Sequence, residues 1–467
     1  MSIRLSLLSL LLCGAAAANP LSEADLATAA ALRDQALKGS QAYAVVESLT
    51  REVGHRMAGS ENDAKGRAWA VAKFRELGFQ RVYLQPVQFP VWERGFESAG
   101  ILSPTPAPLT IAALGGSIGT PRGGLRGEVV RFETAADLDA APRGSLHGKI
   151  AYIANRMQRA RDGSGYGPAV IARVQGAVYA ARAGASAVLI RSVGTDENSR
   201  TPHTGVMRYD NMLTRIPAAA LASADADGLE QALAGGGPVT VKLELGSRTR
   251  KGDYTSANVI GEIPGSEFPD EVVVIGGHLD SWDLGQGAID NGAGVAITMS
   301  AGALIGRLPQ APKRTIRVVA FANEEQGVFG GKQYARDHAD QVAQHVLGAE
   351  SDFGGGRIWR MSSRVAESAL PVVDQIYRVL APLGIERGDN LAGGGADLSA
   401  MRDLGMPIIG LNQDGTQYFD YHHTAADTLD KLNATDLDYN VAAYAAMAYL
   451  AAQAGPVFGP VAAASTP

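Results

Sequence analysis

From Ser256 onward the sequence repeats one unit, a short apolar run, then a loop, then a stretch with helical spacing: ANVIGEIPG, EVVVIGGHLD, a helix from Asn291, TIRVVAFANEE, a helix through QYARDHAD, and HVLGAESD. Runs such as EVVVIGG and TIRVVAFA carry apolar residues at consecutive rather than alternate positions, so both faces of these strands must be buried. Strands of that kind belong to a mixed, mostly parallel sheet flanked by helices, an α/β fold. Sites in such sheets gather at the carboxyl ends of the strands. The polar residues that close each apolar run are therefore the ones to weigh.

The first run ends in His278 and Asp280, two apart in an extended segment. Their side chains leave the same face, so the carboxylate is expected to hold the second nitrogen of a metal-binding imidazole. Asp290 follows at a helix start, where it could equally be an N-cap. The next strand delivers Glu324 and Glu325, the one after it Asp352, and YFDYHHTAADT supplies His422 and His423. Each alone has an ordinary structural explanation. Arriving together at successive strand or loop ends, two imidazoles and three carboxylates suit two zinc-like ions that share one bridging carboxylate. A second glutamate that is not a ligand would then take a proton from water.

The segments GGHLDSWDLGQGAIDNGAG, FANEEQGVFGG, AESD, GGGADLS and YHHTAADT resemble, in order and spacing, the co-catalytic di-zinc exopeptidases that include bacterial leucyl aminopeptidases and glutamate carboxypeptidases, and most nearly their secreted dipeptidase branch. The resemblance implies two zinc ions per chain, other divalent ions being possible, with His278, Asp290 and Asp352 on one and Asp290, Glu325 and His423 on the other. Asp290 is the bridge, and Asp280 orients His278. Glu324 is the general base that activates the metal-bridging water. His423 is taken over His422 because the family ligand directly precedes Ser or Thr. Gly394, Gly395 and Asp397 would form pocket wall, and Tyr421 would support the tetrahedral intermediate or merely pack. The sequence departs from the family at Asn291, where Asp is frequent, and at Ala396, where Ser is common. The implied substrate is a dipeptide or short peptide, with broad aminopeptidase action as the alternative. A homodimer is a family expectation. A single-zinc glutaminyl cyclase or a non-catalytic receptor relative would have lost ligands, and none is lost.

Around residues 103–127 the texture turns to PTPAPLTIAALGGSIGTPRGG, dense in Pro and Gly as at a domain boundary. The part that follows, with GKIAYI, AVYAARAGASAVLI and IPAAAL, resembles the protease-associated domain found inserted in exported peptidases. The expected organisation is a signal peptide over 1–18, a catalytic domain in two segments, 19–100 and 251–455, an inserted domain over 101–250, and a frayed tail from 456 to 467. Residues 1–18 combine Arg4, an apolar run from Leu5 to Leu12 and an Ala-x-Ala site, the pattern of an export signal. The run is too short for a stable membrane anchor, since a spanning helix needs about 20 residues. Export to the periplasm or beyond follows as the expectation.

Composition removes other classes. The only cysteine, Cys13, lies in the export segment, which excludes zinc fingers and iron–sulfur centres. A net charge of −6 without a basic block speaks against nucleic acid as a partner. Gly115-Gly116-Ser117-Ile118-Gly119 matches a serine-hydrolase elbow, but Thr120-Pro121 cannot continue as the helix that elbow requires. His55, His147, His338 and His345 have no ligand-like neighbours, whereas His203 in TPHTGVMRYDN could reach the site from the inserted domain.

Overall fold

The computed structural model describes residues 21–459 and residue 461. The chain opens with three helices, α1 (Glu23–Ala36), α2 (Ala42–Glu52) and α3 (Glu61–Glu76). Their starts follow from the sequence: Ser22 and Asp25 form a reciprocal capping box at α1, and the Ser60 hydroxyl accepts from Asp63 N at α3. Strand β1 (Arg81–Glu93) then enters a main sheet, and the chain leaves for a second lobe.

The second lobe is built on its own eight-stranded sheet, from Glu97–Ser103 to Thr240–Leu245, packed against helix α4 (Tyr166–Arg182). It thus spans 97–245, where 101–250 was expected. The boundary falls before the Pro/Gly-rich stretch because residues 97–103 already pair with 240–245. The chain returns on β2 (Arg248–Ile263), antiparallel to β1 from Glu93↔Arg248 to Arg81↔Glu262, so the lobe is attached by a two-stranded stem.

The main sheet continues with β3 (Phe268–His278), helix α5 (Ala293–Gly306), β4 (Arg314–Phe321), helix α6 (Phe329–Asp337), β5 (His345–Glu350), β6 (Ile358–Arg364), β7 (Glu386–Arg387) and β8 (Ile408–Gln413), closed by helix α7 (Ala434–Ala454). Its order is β1-β2-β4-β3-β5-β8-β6-β7, and the central neighbours β4, β3, β5 and β8 are parallel. Consecutive residues of the central strands point to opposite cores. Val273, Ile275 and Val318 meet α5 and α7, while Val272, Val274 and Val319 meet Tyr334, Leu398 and Met401. Both faces are covered, as the unbroken apolar runs require. Helix α5 is apolar all round and buried almost throughout, the environment its composition demands.

Two expectations fail or fall outside view. The tail does not fray at 456: Phe458 is fully buried and its carbonyl accepts from Ala366 N at 2.8 Å. Burying one large aromatic is worth about 1.5–3 kcal/mol, enough to pin a short segment. Residues 1–18, read as a signal peptide, and residues 460 and 462–467 lie outside the described residues.

Candidate metal centre

Because β3, β4 and β5 are parallel neighbours, their carboxyl ends share one edge. His278 pairs with Phe321 and Gly276 with Glu350 in register, which brings His278, Glu324, Glu325 and Asp352 to the same rim. Asp290 enters from the turn before α5. It is not the N-cap of that helix, a position Gly292 holds: its backbone is extended (φ −119°, ψ 92°), and the Oδ1 of the next residue, Asn291, accepts from Gly294 N in the first turn at 3.1 Å. The residue that departs from the family pattern thus has a structural task.

The carboxylate of Asp290 lies between two imidazoles. Its Oδ1 is 3.1 Å from His278 Nε2, and its Oδ2 is 3.3 Å from His423 Nε2. Asp352 Oδ1 stands 3.3 Å from His278 Nε2, and Glu325 Oε2 stands 2.9 Å from His423 Nε2. Two nests result, one of His278, Asp290 and Asp352, the other of Asp290, His423 and His422, with donor spacing that a metal ion could span, and Glu325 borders the second through His423. His422 stacks on His423 at 3.5 Å between ring centres, with its Nε2 3.6 Å from Asp290. Its ring thus offers a further donor to the second nest, beside His423.

The electrostatics are those of a cation site. Among the described residues no lysine or arginine makes an ion pair with Asp280, Asp290, Glu324, Glu325 or Asp352, and Glu325 Oε1 is buried without a partner. Burial pushes Glu325 up to about 7, although His423 beside it works the other way. Burial likewise drives Glu324 well above the ordinary carboxylate range, with Asp352 and Glu325 adding to it. His423 is pushed up to about 9, because the nearby Glu325 and Asp290 outweigh its burial. Such an excess of buried carboxylate is costly unless a cation compensates it. A donor set of imidazole nitrogen and carboxylate oxygen fits zinc.

Several expectations need correction. The Asp280 carboxylate stands 3.6 Å from His278 Nδ1, and the Asp280 main-chain oxygen lies nearer, at 3.0 Å. The same carboxylate accepts from the backbone N–H groups of Glu324 (3.0 Å) and Glu325 (3.4 Å), holding the loop that carries both glutamates. The turn after His278 brings its carbonyl inward and sends the side chain to the next strand. Asp397 is fully buried, with Oδ1 accepting from Gly331 N, and forms no pocket wall. Gly394 and Gly395 do line a cleft of about 310 Å³ that Asp352 also borders, and a Cβ on Gly395 would sit 2.3 Å from Glu350 Oε2. Tyr421 lines a larger cleft of about 640 Å³, with Lys431 over its ring. The tyrosine set against the carboxylates is Tyr418, whose hydroxyl pKa is driven well up by burial and then by Asp290, Asp352 and Glu325. Phe353 borders both clefts. Ser117 of the elbow-like motif is buried and caps Ala218 N, a structural serine.

Three contributors had not been singled out. Asp427, in the quoted YHHTAADT segment, accepts from Ile289 N (2.6 Å) and Asp290 N (3.1 Å) and so fixes the shared carboxylate. Arg56 is buried and donates to the carbonyls of Leu279, Gln286 and Gly287, lacing the loop between His278 and Asp290. Trp282 packs 5.7 Å from His423. Asp427 was within reach of motif reading; Arg56, more than 200 residues from its partners, carried no local signal.

Comparison with known proteins fits this geometry. Residues 258–448 match the model for peptidase family M28. The chain is 36% identical over 413 residues to carboxypeptidase Q of Xenopus laevis, covering 88% of this chain and 86% of that one. It superposes with a TM-score of 0.92 on a peptidase M28 precursor from Shewanella amazonensis, 50% identical, over 94% of this chain and 99% of the other. A zinc aminopeptidase from Bacillus subtilis shares the fold at 21% identity and a TM-score of 0.64, over 90% and 98% of the two chains.

Proposed function

The chain belongs to peptidase family M28, and from that premise we propose that it is an exported di-zinc exopeptidase hydrolysing dipeptides or short peptides. The observation that carries this reading is the shared carboxylate: one oxygen of Asp290 faces His278 and the other faces His423, with Asp352 and Glu325 completing the two nests. Zinc held by these five residues would supply Lewis acidity to the peptide carbonyl and to the water that attacks it. Glu324, partly open to the rim and with a pKa raised by burial, takes the proton from that water and returns it to the leaving amine. Asp280 keeps Glu324 in place through its backbone, and Asp427 does the same for Asp290. The clefts on either side of Phe353 receive the two ends of the substrate. The second lobe is read as a protease-associated domain, and export rests on the signal-like residues 1–18.

The likeness to carboxypeptidase Q favours dipeptides over broad aminopeptidase action. One dipeptide should be compared with its N-acetylated and C-amidated forms. A dipeptidase loses activity on both blocked forms, whereas an aminopeptidase keeps the amidated one. Active protein devoid of bound divalent metal would end the whole proposal.

A further inference from the structure

The second lobe reaches the metal centre through the segment His203–Gly205, with Tyr166 and Arg173 of helix α4 beside it. His203 is buried, and its Nδ1 lies 2.7 Å from the main-chain oxygen of His422. Thr204 N donates to His423 O at 3.0 Å, and Thr204 O faces His423 Nδ1 at 3.2 Å. Three hydrogen bonds therefore join residues 203–204 to residues 422–423. His423 needs such bracing, because it sits in the left-handed region at φ +63°, where a non-glycine residue costs on the order of 1–3 kcal/mol. The segment is itself anchored: Thr204 Oγ1 donates to Ala113 O and accepts from Arg94, whose guanidinium grips Asp283 of the loop following His278 at 2.7 and 2.8 Å.

A carbonyl only accepts, so Thr204 O places the proton of His423 on Nδ1 and leaves the Nε2 lone pair free. That nitrogen is the one facing Asp290 and Glu325. Arg173 Nη1 also approaches Nδ1, at 3.4 Å, farther than Thr204 O. Gly205 allows this close packing: with φ +133°, a Cβ there would lie 2.5 Å from Arg173 Nη1 and 2.7 Å from His423 Nδ1.

We propose that His203–Gly205 is a positioning element of the metal centre, by which the second lobe fixes the rotation and tautomer of His423. The proposal rests on the reading of His423 as a metal ligand. The lobe is then an integral part of the metal centre rather than an appendage to it, and metal affinity at the His423 nest depends on residues more than 200 positions away in sequence.

Zinc stoichiometry and affinity, measured on the full chain by competition with a chromophoric chelator, test this, alongside the visible spectrum of the cobalt-substituted protein. His423→Ala should lose one metal. Gly205→Ala and His203→Leu should weaken that same metal about 10- to 100-fold and shift the cobalt spectrum, leaving the other metal unchanged. His203→Asn, which keeps a donor near the Nδ1 position, should restore wild-type affinity. If Gly205→Ala does not fold, the contrast between His203→Leu and His203→Asn carries the test. Wild-type affinity for both metals in Gly205→Ala and His203→Leu, with one metal lost in His423→Ala, overturns the positioning role alone. Retention of both metals by His423→Ala overturns the ligand reading beneath it.

Discussion

Glu324 and Glu325 are adjacent in sequence yet differ in surroundings. Glu325 contacts His423, whereas Glu324 has no imidazole partner and stays partly open. Replacing Glu324 by Gln should therefore lower kcat about 10²- to 10⁴-fold while metal analysis finds the wild-type content; a fall in metal content would make it a ligand. His345 offers a second test away from the metals. Its Nε2 accepts from the Tyr334 hydroxyl, its Nδ1 donates to Gln341 O, and Arg317 and His338 stand nearby. Burial pushes it down to about 3, against about 6.5 in an unfolded chain. As pH falls between those values the unfolded chain takes up a proton that the folded one refuses, so stability falls with pH. His345→Gln should remove up to about 1.4 kcal/mol per pH unit of that slope, read from urea midpoints at successive pH values. At this scale the sequence was legible where a polar residue closed an apolar strand, as with His278 and Asp352. It was not legible where a turn decided which atom points inward, as with the Asp280 carbonyl.

Helix α5 ties the ends of two strands together. A Cβ on Gly294 would lie 1.9 Å from Ser351 O and 2.3 Å from Asn291 Oδ1, so the helix start touches the backbone just before Asp352. Gly294→Ala should lever α5 away from β5 and separate Asp290 from Asp352. The expected cost is about 1–3 kcal/mol, with metal lost from the His278 nest, as thermal unfolding and metal analysis would record. The strand–helix rhythm made the parallel centre of the main sheet readable, because consecutive apolar positions leave no solvent face. The antiparallel flanks, β2 against β4 and β6 against β8, were not, since the partners of each pair are separated in sequence by other strands and helices. Phe458 escaped for a related reason: one aromatic in a small-residue tail finds its cavity only after the helices are assembled.

Over the whole molecule, metal and fold should be coupled, because carboxylates that repel one another are buried together at the rim of the main sheet. Chelation should lower the unfolding temperature, and added zinc should restore it. At free zinc about 1,000-fold above its Kd the gain is about 4 kcal/mol, so a calorimetric scan that ignores EDTA would contradict the coupling. The stem that carries the second lobe has a different consequence, one of timing. Among the described residues β1 is an edge strand of the finished sheet with β2 as its one partner, and the entire second lobe lies between them in sequence. During synthesis at about 5–20 residues per second, β1 waits on the order of 10–30 s for that partner. The lobe, whose strands all pair among themselves, can fold in the meantime. A waiting strand invites intermolecular pairing. Pro86 and Pro90, which lack the N–H groups another chain would need, make β1 a poor template during that interval.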